Sequence, residues 1–127
     1  MKKLDAQIKQ LHQAVTRLDE ALAQKPNPFI RDSAIQRFEF CFDLTWKTIK
    51  TYLDEKKGVV CTSPKDCFRS AFQQGLIGNE PVWLEMTDAR NLTVHTYNED
   101  LAETIFKKLP AYLQHFEEIQ GKMVEGK

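Results

Sequence analysis

Apolar residues at Leu4, Ile8, Leu11, Val15, Leu18 and Leu22 recur alternately four and three positions apart, with polar side chains filling the gaps. On an α-helix this spacing draws one narrow apolar seam, and such a seam must be covered by another helix. The opening stretch therefore commits the chain to helix-on-helix packing. It predicts a helix from Leu4 to about Gln24, ended by Pro26-Asn27-Pro28, which favours an extended turn. So short a connection sends the next helix back antiparallel to the first.

That second helix is expected over Phe29 to Glu55. Ile35, Phe38, Phe42, Thr45, Ile49 and Tyr52 form one stripe, broadened by Ala34, Cys41, Trp46 and Leu53. An arc this wide marks the central helix of a bundle. Gln36, Asp43, Lys47, Lys50 and Asp54 form its polar stripe, with Glu39 on the border. Phe40 and Leu44 fall outside the apolar arc; they serve either a second hydrophobic contact, such as another subunit, or packing beneath a neighbouring helix.

Lys56-Lys57-Gly58 closes the central helix, and residues 59–62 form a short extended linker. Ser63-Pro64-Lys65-Asp66 then reads as a helix start, with Ser63 as N-cap and Pro64 in the first helical position. The short helix it opens is expected to bury Cys67, Phe68, Ala71 and Phe72 and to stop at Gly75, followed by a turn at 76–79. A fourth helix begins around Glu80-Pro81 and carries Val82, Trp83, Met86 and Ala89. Asn98 caps a last long helix with the stripe Ala102, Ile105, Leu109, Tyr112 or Leu113, Phe116 and Ile119. Because that stripe keeps its phase across Pro110, the proline should kink the helix rather than end it. The polar tail after Gly121 reads as frayed. No useful period-2 segment occurs, so the fold class is all-α, an antiparallel up-and-down bundle of four or five helices.

At 127 residues and 42% hydrophobic content, the chain suits a single domain over residues 1–127 with a real core. Lys plus Arg and Asp plus Glu are each 18, so the net charge is zero. With no overall basic field to attract nucleic acid, any phosphate binding must come from a local cluster. Cys41, Cys61 and Cys67 are odd in number and lack C-x-x-C spacing, which suggests neither a disulfide framework nor a zinc site and fits a reducing cytoplasm. The N-terminus enters a charged helical pattern without the apolar core of a signal peptide, and no apolar run approaches the roughly 20 residues of a membrane span.

The chemistry concentrates in Ala89-Arg90-Asn91-Leu92-Thr93-Val94-His95-Thr96-Tyr97. Arginine holds a phosphate through parallel hydrogen bonds, and histidine moves protons near neutral pH. Arg90 and His95 thus suffice in principle for metal-free RNA cleavage, with Asn91 orienting the substrate or the histidine. Five positions on a continuous helix turn a side chain by roughly 140°, so the two would point apart unless the helix ended between them or a second subunit contributed. The β-branched Thr93, Val94 and Thr96, ahead of Asn98, favour such an end. An arginine and a histidine at this spacing also serve as an ion pair and a helix cap in many helical proteins. Glu39 and Asp43, one turn apart, read as a solvated or ion-paired face, with Asp43 near Lys47, or as carboxylates that orient Arg90 or bind a cation. His12 and His115 fall on outer faces without partners.

The segment Arg90 to Tyr97 resembles the R-x4-H-x-Y signature of the HEPN superfamily. Arg37 to Lys47, Ser63-Pro64-Lys65 through Gly75-Leu76-Ile77, and Trp83-Leu84-Glu85-Met86 are similar to its branch of nucleotidyltransferase substrate-binding proteins, so the likeness runs along nearly the whole chain. The resemblance implies a dimerising helical bundle similar to the helical domain of kanamycin nucleotidyltransferase, working beside a separately encoded minimal nucleotidyltransferase. It implies a metal-independent ribonuclease toxin without cofactor, in which Arg90 and His95 are catalytic, Asn91 is auxiliary, and Tyr97 is adenylylated by the partner to silence it. The alternative it leaves is a non-catalytic subunit that binds substrate or nucleotide for the transferase. A helical scaffold with no site is a third reading. A glycine-rich phosphate loop is absent, so nucleotidyl transfer by this chain itself is not expected.

Overall fold

The structure, a computed structural model, describes residues 2–126. It contains five α-helices, α1 (Lys2–Leu22), α2 (Pro28–Lys57), α3 (Pro64–Gln73), α4 (Glu80–Leu92) and α5 (Glu99–Gly126), with a 3-10 turn at Thr93–His95 between the last two. Among the described residues there is no strand. The heptad seam is buried as its spacing requires, with Leu4, Ile8, Leu11, Val15 and Leu18 all in the core. Asn27 accepts from the Ile30 amide at 2.8 Å, which starts α2 at Pro28. Gly58, at φ 64°, ends that helix in the left-handed conformation that glycine adopts without penalty.

Helix α2 is the axis of the fold. It packs along α1, meets α5 on one side, and supports α3 and α4 on the other. Its apolar stripe feeds a closed circuit of aromatic rings. Phe38 meets Phe42 at 6.4 Å, Phe42 meets Phe68 at 5.6 Å, Phe68 stacks on Trp83 at 4.9 Å, Trp83 meets Phe116 at 5.6 Å, and Phe116 returns to Phe38 at 6.1 Å. One circuit thus joins four helices. Aromatic pairs of this kind each add about 0.5–1.5 kcal/mol beyond the area they bury. Cys41 lies in this core, and burial pushes its thiol up to about 12.

Several sequence expectations are corrected. Cys61 and Cys67 form a disulfide, with Cα atoms 5.0 Å apart. The chain reverses at the Ser63 cap, which brings Cys67, in the first turns of α3, back beside the linker that precedes the cap; spacing in sequence did not convey this. Cysteine usage accordingly gives no support to a reducing compartment. Phe72 is exposed, and the chain, turned at Gly75 with φ 76°, buries Leu76 and Ile77 instead. The segment after Gly121 is helical rather than frayed. Met123 is buried, and Gly126 backs so closely onto the Tyr52 hydroxyl that a Cβ there would collide with it.

The outer histidines also have partners. His12 Nδ1 lies 2.7 Å from Gln120 Nε2, and the His115 ring meets Trp83 edge-on. Helix α5 runs unbroken through Pro110, and no helix among the described residues is long and apolar enough to cross a membrane.

Candidate functional site

Helix α4 ends where the β-branched run begins. Thr93 donates its hydroxyl to the Arg90 carbonyl at 2.7 Å, and the Thr96 hydroxyl donates to the Thr93 carbonyl at 2.9 Å. Side chains therefore take carbonyls that a continuing helix would have used. The backbone tightens into the 3-10 turn, and Asn98 restarts a helix by accepting from the Leu101 amide at 3.1 Å. The break required between Arg90 and His95 is present.

Arg90 points back to α2. Its Nε and Nη2 donate to the two oxygens of Asp43, each at 3.1 Å, while Nη1 donates to Thr93 at 3.0 Å and stands 3.5 Å from Glu39. A guanidinium carries five N–H donors, so three are committed here and two remain. The hydrogen bond to Asp43 raises the Arg90 pKa above its ordinary value against partial burial, with further support from the charges of Asp43 and Glu39. Glu39 and Asp43 are ion-paired, with Arg90 as their partner. The expected pairing of Asp43 with Lys47 is replaced, because the α4 guanidinium offers a two-pronged match that a flexible ammonium cannot.

His95 lies beyond the break and is exposed. Its Nδ1 is 3.3 Å from the Tyr97 hydroxyl, and the two rings meet edge-on at 5.8 Å between centroids. Tyr97 is 81% exposed, and Asn91, Leu92 and Val94 are also open to solvent. The structure thus brings together Arg90 with Glu39 and Asp43, and separately His95 with Tyr97. The hydrogen bonds of the first set run back to α2, and that of the second runs forward along the turn.

Arg31 was missed in the sequence. It lies beneath the surface at the start of α2 and donates to Asp32 at 2.9 Å, Glu99 at 2.6 Å and Glu103 at 3.1 Å. Arg90 ties the end of α4 to the middle of α2, and Arg31 ties the start of α5 to the start of α2. The turn carrying His95 and Tyr97 is consequently slung from α2 at both ends. One signal was available: an arginine in the first turn of a helix opposes the helix dipole and asks for a compensating partner.

Comparison with known proteins gives the family and the fold. The family model described as nucleotidyltransferase substrate binding protein like matches residues 2–125. The chain is 30% identical over 119 residues to a Haemophilus influenzae protein named Probable ribonuclease HepT, covering 87% of this chain and 82% of that protein. A crystal structure of a Thermus thermophilus protein superposes with a TM-score of 0.85 at 43% identity, covering 89% of this chain and 98% of that one. Another, from Haemophilus influenzae and described as revealing the fold of a substrate binding domain of a nucleotidyltransferase, gives a TM-score of 0.71 at 27% identity, over 96% of this chain and 97% of that one. A family match along almost its whole length places this chain in the nucleotidyltransferase substrate binding protein like family.

Proposed function

We propose that the chain is a metal-independent endoribonuclease, the toxin of a two-gene pair whose minimal nucleotidyltransferase silences it by adenylylation. The observation that carries this reading is the helix end between Arg90 and His95. It leaves an anchored guanidinium with two unused donors and, past the turn, an exposed imidazole. The name of the Haemophilus influenzae relative supports the same activity.

His95 takes the proton of a ribose 2′-hydroxyl, and the freed oxygen attacks the adjacent phosphorus. The bond to the 5′ oxygen breaks as that oxygen receives a proton from the protonated His95 of a second copy, leaving a cyclic phosphate and a 5′-hydroxyl. Arg90 donates to the phosphoryl oxygens as charge builds on them, held in place by Asp43 and Glu39. Asn91 orients the substrate. A homodimer supplies the two histidines across one cleft, and the exposed Phe40, Leu92 and Val94 provide apolar surface for it.

Tyr97 is the regulated position. Its exposed hydroxyl attacks the α-phosphorus of ATP in the partner's active site, pyrophosphate leaves, and His95 Nδ1 is within reach of the phenolic proton. The resulting anionic group obstructs RNA at the turn by bulk and by charge. Expression without the partner should arrest growth, and His95→Ala should relieve it; toxicity that survives the substitution sinks the assignment.

A second reading has one observation of its own. Glu39 and Asp43 offset the charge of Arg90, and the net charge of the chain is zero, which suits a non-catalytic subunit presenting substrate or nucleotide to the transferase. On that reading the two-protein complex binds nucleotide, and neither component cleaves RNA.

A further inference from the structure

Beyond Asp43, the outer face of α2 carries a groove of about 460 Å³ that the chemistry of Arg90 and His95 does not use. Trp46, Lys47 and Lys50 of α2 and Lys3 and Gln7 of α1 are among the residues that line it. Trp46 is only half-buried, and among the described residues its ring stacks on no other, whereas Trp83 lies in the aromatic circuit. Among the described residues none of Lys3, Lys47 and Lys50 enters an ion pair.

The groove is graded in charge along α2. Lys47 and Lys50 stand one and two turns beyond Asp43, roughly 6 and 10 Å along the helix axis, and Asp54 and Glu55 close the far end. Lys47 and Lys50 give an anion a place toward the Arg90 end, and Lys3 adds positive charge to the lining. At the opposite end, the carboxylates of Asp54 and Glu55 suit groups that donate hydrogen bonds, such as the exocyclic amino group of adenine or cytosine. A flat aromatic surface between a phosphate-binding end and an amino-accepting end has the layout of a nucleotide subsite.

We propose that this groove binds a nucleotide of the RNA strand next to the cleaved phosphate: the base stacks on Trp46, its amino group donates to the carboxylate end at Asp54, and its phosphate lies on Lys47 and Lys50. The assignment of the ligand to an RNA strand rests on the ribonuclease reading above. The subsite lengthens the contact from one phosphate to a short single-stranded segment, which gives a neutral protein a local means of holding RNA.

The test measures binding of a single-stranded 2′-O-methyl oligonucleotide, which lacks the attacking hydroxyl and so separates binding from cleavage. It should quench the fluorescence of Trp46. Trp46→Leu should weaken binding by about 10-fold while Trp46→Phe, which keeps a ring, loses less. The double variant Lys47→Ala and Lys50→Ala should lower the slope of log affinity against log salt by about 0.7, the share of the one phosphate that the two lysines hold. An unchanged slope and affinity in the double variant overturn the proposal, as does AMP binding as tightly as the oligonucleotide. Cleavage of unmodified RNA by the intact chain is scored separately. Strand binding at the groove without cleavage refutes the ribonuclease reading and leaves the subsite standing.

Discussion

Arg31 and Arg90 each donate to carboxylates and each fasten a neighbouring helix to α2, yet one guanidinium is covered and the other is open. The Arg31 side chain is 5% exposed beneath Asp32, Glu99 and Glu103, which are themselves 51–74% exposed. An approaching phosphate meets the three carboxylates first and is repelled. The Arg90 side chain is 25% exposed beside Glu39 and Asp43 of α2, which are 28% and 38% exposed, and two of its N–H groups make no hydrogen bond. Hydrogen-bond strength does not separate the two, since both arginines have raised pKa values for the same cause. What separates them is cover: the acids around Arg31 are far more exposed than its guanidinium, whereas those around Arg90 are only slightly more exposed than it is. The first arrangement suits anchoring and the second suits binding.

The sharpest way to break this distinction is through the residue that Arg90 is meant to serve. Loss of the proton-transfer group in His95→Ala should reduce RNA cleavage by about 10²–10⁴-fold, measured on a labelled oligonucleotide, while leaving the thermal midpoint unchanged. Next, Arg90→Ala should cost about 10²–10³-fold in cleavage, and Arg90→Lys should not restore it, because an ammonium cannot match Asp43 and a phosphate together. If Arg90→Lys keeps full activity, the fork geometry of the guanidinium is irrelevant to function.

Arg31→Met should do the reverse. A melt followed by circular dichroism should show the midpoint falling by about 5–10 °C, with cleavage per folded molecule altered less than about 10-fold. A large loss of activity at full stability would place Arg31 in the site and erase the contrast. Asp43→Asn keeps the shape but loses the charge that holds Arg90, and cleavage should drop by about 10-fold, one tenfold step corresponding to about 1.4 kcal/mol. The smallest effect on cleavage belongs to Tyr97→Phe, expected within about twofold of the unmodified chain on the general acid–base scheme, which gives this hydroxyl no part. Incubated with the partner and ATP, that variant should gain no adenylyl mass, and modification at any other residue would remove Tyr97 from the scheme.

Much of the architecture was legible in the chain because periodicity is a local property. The seam of α1, the broad arc of α2 and the caps at Ser63 and Asn98 each follow from residues within a few turns of one another, and each appears as expected. The helix end after Arg90 was likewise readable, since the threonines that produce it bond to carbonyls three residues away. Phe72 and the disulfide were misread because both depend on how a glycine or a capped turn redirects the chain, which residue type alone leaves open.

The candidate site divides along the same line. Sequence by itself determined that an arginine, a histidine and a tyrosine would be carried on a broken helix, because composition and hydrogen bonds over three or four residues suffice for that. Only the tertiary structure decided what surrounds them: that Asp43, 47 positions before Arg90, would pin it, and that Glu99, 68 positions after Arg31, would help hold the other end of the turn. The physical reason is that an ion pair is set by distance in space. Two charges on different helices meet only once the packing of both onto α2 has fixed where each one points.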